Sequence, residues 1–179
     1  MTPAPVASAG ALPLDGRLWA FATRVYARDG AAEACLALQD EFGADVVLLL
    51  FGAWLGAEGL APDREQLAAA ARDIAPWRGE VVGVLRTLRR RLKTGPEPAP
   101  DAATDALRNT IKGAELAAEQ IQLAWLERAA APWLAAGGGA DAATAVAHNL
   151  AACFEAATGS VPDDRAAAWL RTLAQRSAP

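Results

Sequence analysis

The sequence predicts an all-α fold, a single-domain bundle of about eight helices, and three observations predict it. Turn signals cut the chain into pieces of helical length. Within those pieces apolar residues recur at i, i+3, i+4 and i+7, and no stretch alternates apolar with polar residues for long enough to make a strand. A chain of 179 residues with 53% hydrophobic and 21% charged side chains suits one domain with a genuine core, far from the composition of a disordered chain. Residues 1–13 are expected as a flexible N-terminal segment before a helical domain over 14–177. They hold no lysine or arginine and no apolar run of the length a secretory signal needs.

Leu18, Phe21, Ala22 and Val25 give the first helix its inward stripe, with Asp15 as the expected N-cap and Asp29-Gly30 as the stop. The second helix runs from Ala31 to Phe42 with Ala34, Cys35 and Leu38 inward, and Gly43 supplies a left-handed exit. Asp45 then caps a third helix, about Val46 to Ala57, that is apolar all round. Such a helix must be enclosed by others, which places it at the centre of the bundle. Pro62 is expected in the first turn of a fourth helix reaching about Ile74, and Pro76 to separate it from a fifth over roughly Trp77 to Lys93. The core stripe of the fifth is Val81, Leu85, Leu88 and Leu92. Prolines at 96, 98 and 100 make 94–103 an extended, mobile linker. The longest helix follows, with Leu107, Ile111, Ala114, Ala118, Ile121 and Trp125 as its stripe and Pro132 near its end. Gly137-Gly138-Gly139 precede a helix from about Asp141 to Ala157, and Pro162 opens a last one reaching Gln175.

Charge and composition exclude more than they assign. A net charge of −4 argues against a surface built for polyphosphate, because non-specific nucleic-acid binding is mainly electrostatic. The most apolar window, Val46 to Leu55, is well short of the ~20 residues that cross a bilayer, so no membrane association is expected. Cys35 and Cys153 have neither a disulfide framework nor metal-ligand spacing and are expected as free thiols in a reducing cytoplasm. His148 shares the polar side of its helix with Thr144 and Glu155 and reads as exposed and idle, since a working base needs an orienting partner and a pocket. No catalytic set, metal or cofactor is expected. Glu115 and Glu119, one turn apart near Lys112 and Gln122, lack the second acidic pair of a metal-diphosphate site and read as a solvated, ion-paired face.

The basic run Arg86, Arg89, Arg90, Arg91 and Lys93 is the strongest charge feature. At a helix C-terminus the dipole favours cations, and Arg86, Arg90 and Lys93 can also reach acids on the long helix. Its functional reading is an acidic protein partner or an anionic ligand; with no interleaved aromatics, nucleic acid is the weaker reading. Gly52 with Gly56, and Gly79 with Gly83, each place two small residues on one helix face and predict close packing. Among the tryptophans, Trp19 and Trp54 are candidates to line a groove, against the general habit of indoles to fill helical cores.

The stretch from Leu18 to Leu55 resembles the opening signature of an uncharacterised family of short proteobacterial proteins. The residues that carry the likeness are Leu18-Trp19, Phe21-Ala22, Val25-Tyr26, Gly30, Cys35-Leu36, Leu38-Gln39-Asp40, Gly43, Asp45-Val46, Leu48 to Phe51 and Trp54-Leu55. A weaker likeness continues through WRGEVVGVLRTLRRRLK and the helix bearing Lys112 and Glu115. One position departs: where that family usually has asparagine after Asp45-Val46, this chain has Val47. The resemblance implies a helical fold and a bacterial cytoplasmic setting, and brings no activity with it.

The expected function is therefore a non-enzymatic interaction or accessory protein. It meets a protein partner, or a second copy of itself, through the polar turn bearing Gln39, Asp40 and Asp45 and the basic helix end bearing Arg86, Arg89 and Arg90. The alternative is a binder of a small apolar or anionic ligand, or less readily an enzyme acting on one, in a pocket lined by Trp19 and Trp54.

Overall fold

The computed structural model describes residues 11–178, so most of the expected flexible N-terminal segment lies outside the described residues. Eight α-helices follow one another: α1 (Arg17–Tyr26), α2 (Ala31–Phe42), α3 (Val46–Ala57), α4 (Arg64–Trp77), α5 (Gly83–Arg91), α6 (Ala102–Ala136), α7 (Ala142–Thr158) and α8 (Asp164–Ser177). No strand occurs among the described residues.

The apolar helix α3 is the hub. Every residue from Val47 to Gly56 is buried, and α1, α2, α6, α7 and α8 pack around it. Its closest neighbour is α7, because two glycines remove the side chains that would hold the backbones apart. A Cβ on Gly52 would lie 2.6 Å from Cys153 Sγ, and one on Gly56 only 2.5 Å from Val146 Cα. Buried Asn149 of α7 locks the contact, donating from Nδ2 to the carbonyls of Gly52 (3.0 Å) and Leu60 (2.9 Å). Gly79 and Gly83 make no such approach to another helix.

The caps differ from expectation at two helices. Gly16, not Asp15, is the N-cap of α1; it has no side chain to offer, and the carboxylate of Glu127 on α6 accepts from the N–H groups of Arg17 and Leu18 instead. For α4 the cap is Asp63, in a reciprocal capping box with Gln66, so Pro62 precedes the helix.

Pro76 does not end α4. Its missing N–H leaves the Arg72 carbonyl without an intrahelical donor, yet the backbone stays helical through Trp77 and Arg78. A π-helical turn, Arg78–Val82, absorbs the fault and delivers the chain into α5, where the Gly83 N–H donates to the Arg78 carbonyl. The fourth and fifth helices are thus one rod with a change of phase.

That phase change explains a second departure. Val82 points inward, but α5 has no fully buried residue, and Leu88 of the expected core stripe is 46% exposed. The segment 94–103 turns the chain back so that α5 and α6 lie antiparallel; it buries Ala99 and ends on Asp101, which caps α6 in a box with Thr104. On α6 the inward line is Ile111, Glu115, Ala118, Gln122, Leu126 and Ala130, while Leu107 and Trp125 are exposed. The expected stripe is rotated toward the apolar flank because two polar residues, Glu115 and Gln122, occupy core positions.

Candidate functional site

Four acids and four arginines meet where the end of α2, the start of α3, the α4–α5 rod and the middle of α6 converge. Asp45 anchors them. One carboxylate oxygen caps α3, accepting from the N–H groups of Val47 (3.0 Å) and Leu48 (3.4 Å). The other accepts from Gln122 Nε2 at 3.0 Å and lies 3.3 Å from Arg78 Nε. Arg78, supplied by the π turn, donates also to the Gly43 carbonyl at 2.8 Å, tying the rod to the turn between α2 and α3.

Two turns back along α6, Glu115 is 5% exposed and accepts from Arg86 Nε at 2.8 Å and from both Nε and Nη2 of Arg89. Arg86 spans to Glu119 as well, and Arg90 pairs with Asp40, which also accepts from Gln39 Nε2 at 3.1 Å. Trp77 pins the rod from the other end, its indole N–H donating to the Ala118 carbonyl at 3.0 Å.

The two glutamates are pushed apart in acidity. Burial raises Glu115, but the hydrogen bonds and charges of Arg89 and Arg86 outweigh it and hold the carboxyl below the ordinary range. Glu119 is raised, by burial first and by the neighbouring Glu115 and Asp45 charges, with Arg86 only partly compensating. Asp40, at the exposed end, is lowered: desolvation pushes it up, and Gln39 and Arg90 together outweigh that push. Tyr26 stands beside this end, its phenol raised by burial and by the surrounding acids despite Arg86.

Split carboxylates of this kind can serve acid–base chemistry when they face a substrate cavity. Here they face arginines. An open cleft of about 800 Å³ lies elsewhere, between the starts of α4 and α7, with Arg64, Thr144 and exposed His148 on its walls. Both cysteines are buried, Cys35 with its thiol pushed up to about 12 and Cys153 pushed up further by complete burial, so neither presents a thiolate. Among the described residues, no three His, Cys, Asp or Glu side chains are grouped to hold a metal ion. The chemical capacity of the network is that of a clasp, holding the α5–α6 hairpin to the body of the bundle.

The structure brings Gln39, Asp40, Asp45, Arg86, Arg89 and Arg90 into this one network. It separates the two tryptophans from it. Trp54 is 1% exposed in the core beside Phe51, so it lines no groove; the all-apolar helix that carries it is sealed on every side. Trp19 is half-buried against the same core. Glu115 is ion-paired as expected but buried, not solvated. Sequence reasoning passes over Arg78 and the role of Gln122. The signal for Gln122 is its place seven residues after Glu115, on the line that also carries Ala118 and Leu126. Arg78 gives none, because its reach depends on the π turn.

A family model described as protein of unknown function (DUF2390) matches residues 17–126, more than half of the chain and the whole of this network. No curated protein and no solved structure matches the chain.

Proposed function

We propose a function from one premise: the chain belongs to the DUF2390 family, whose members have no known function. The protein acts as a non-enzymatic interaction or accessory protein in the bacterial cytoplasm, and the α5 helix is the element it offers to a partner. A single observation carries this reading. The inward side of α5 is consumed by charge pairs with α6 and α2, yet Val84 and Leu88 stand 57% and 46% exposed on its other side. An exposed apolar pair on a helix that contributes nothing fully buried to the core has no use in folding. Arg91 and Lys93, which make no ion pair among the described residues, and the half-exposed Asp40–Arg90 pair give the face a polar rim. The alternative, a ligand pocket lined by tryptophans, loses support from the burial of Trp54.

The test is affinity purification of the tagged chain from native cells, with Leu88→Glu and His148→Ala beside the wild type. The expected result is a stoichiometric associate that Leu88→Glu loses and His148→Ala, on the distant cleft, retains. Equal recovery with Leu88→Glu would remove α5 from consideration.

A further inference from the structure

We infer that the outer face of α5 is a self-association surface, on which a second copy of the chain lays its own α5 antiparallel about a two-fold axis. The inference rests on the interaction reading above and gives that surface its occupant.

Charge complementarity argues for it. Val84 and Leu88 lie one turn apart on the face turned away from Arg86 and Arg89. Two charges bracket them: Glu80, one turn before Val84, and Arg91, just under one turn after Leu88. Both are exposed, and neither has an ion-pair partner among the described residues. The arrangement is self-complementary in one orientation only. A two-fold axis midway between Val84 and Leu88 sets Val84 against Leu88 of the second copy, and at the same register sets Glu80 against Arg91 of the second copy, twice over. The two charges are about 16 Å apart along the helix, so both ion pairs and both apolar contacts form together. A parallel pairing would set Glu80 on Glu80 and Arg91 on Arg91, and repulsion rejects it.

The neighbouring helix leaves room. By the antiparallel register that the Arg86–Glu119 and Arg89–Glu115 pairs impose, Ala114 and Ala117 of α6 lie level with this stripe. Both are exposed and too small to obstruct a second helix pair. A footprint of some five turns across two helices is at the low end of specific interfaces, about 600 Å² per copy, so the dimer is reversible.

Sedimentation velocity on the purified chain, over protein concentrations from about 1 to 500 µM, a range that spans a reversible dimer's Kd, tests the arrangement. The wild type is expected to move from monomer to dimer with concentration. Glu80→Arg alone and Arg91→Glu alone each turn two attractions into two repulsions and should raise the dimer Kd at least about tenfold. An equimolar mixture of the two variants should restore association, because each heterodimer regains both pairs. Unchanged thermal unfolding, expected for exposed positions, separates these effects from misfolding. A wild type that stays monomeric throughout, single reversals that dimerise like the wild type, or a mixture that fails to recover what the singles lost would each overturn the inference. If the wild type is monomeric but Leu88→Glu still loses a cellular associate, the self-association fails and the interaction function stands. A reversal-sensitive dimer whose cellular associations ignore Leu88→Glu does the opposite: the self-association stands and the interaction function falls.

Discussion

Glu127 caps a helix to which it does not belong: its carboxylate accepts from the backbone N–H of Leu18 at 3.0 Å and of Arg17 at 2.9 Å, across more than a hundred residues of chain. Gly16 permits the approach, since a Cβ there would collide with that carboxylate. The negative charge also faces the positive end of the α1 dipole. Glu127→Ala should therefore cost about 1–2 kcal/mol, as loss of an N-cap does, and Asp15→Ala should stay within about 0.5 kcal/mol of wild type. Urea unfolding of the two variants checks the contrast; equal effects would mean that α1 is capped from its own sequence.

Gly56 and Gly79 are both helical glycines, and they should respond to alanine with opposite signs. Backbone of α7 fills the space at Gly56, so a methyl group must prise apart the tightest helix pair in the bundle. At Gly79 nothing lies within 4 Å. Gly56→Ala should destabilise by about 3 kcal/mol or more, the scale of severe overpacking, whereas Gly79→Ala should stabilise by about 0.5–1 kcal/mol through backbone entropy. Denaturation midpoints decide it.

Asp45 is legible as a cap, and a cap alone would tolerate asparagine. Its second oxygen changes that expectation, because it accepts from Gln122 and faces the Arg78 guanidinium. Asp45→Asn should cost about 1.5–3 kcal/mol, the worth of a hydrogen bond to a charged group. Gln122→Ala should remove part of the same energy. In a double-mutant cycle the combined loss should be less than the sum of the two single losses; strict additivity would mean the residues act independently.

The glutamates of the clasp predict a particular acid response. Glu115 is held below its usual 4.5, so its stabilisation is present above that value and lost as the pH falls through its folded-state value. Glu119 is raised, so its contribution has the reverse sign: it is present in acid and lost as the pH rises through the folded-state value. Unfolding free energy measured from pH 7 to pH 3 should show a flattened acid limb below about pH 4.5 in Glu115→Gln. In Glu119→Gln the compensating gain on moving from neutral to mildly acidic pH should vanish. Parallel curves for all three proteins would refute the assignment of opposite shifts.

Helices with one apolar face or none polar are readable because local pattern and burial agree there. The bounds of α2 and α3, the left-handed Gly43 and the inward Leu18, Phe21, Ala22 and Val25 all follow from spacing alone. Reading fails where a tertiary contact overrides the local pattern. Leu88 looks like core because it repeats with Leu85 and Leu92, but its rod meets only one neighbour on that side. Glu115 looks like surface because it is charged, but two arginines on another helix neutralise it. The candidate site is legible as a set of residues and not as a clasp, since no spacing within α5 or α6 states which arginine meets which acid.

The π turn at 78–82 also constrains insertions and deletions. Removing one residue there would restore an uninterrupted α-helix without touching a loop, and by backbone criteria it would look harmless. It would also rotate everything beyond it by about 100°. Arg86 and Arg89 would swing off Glu115, and a different side of α5 would be turned outward, while the order and length of every other element stayed the same. The segment can change composition, as open space around Gly79 attests, but its length is fixed. A homologue one residue shorter between Trp77 and Gly83 would keep the bundle and carry a different outer face on α5.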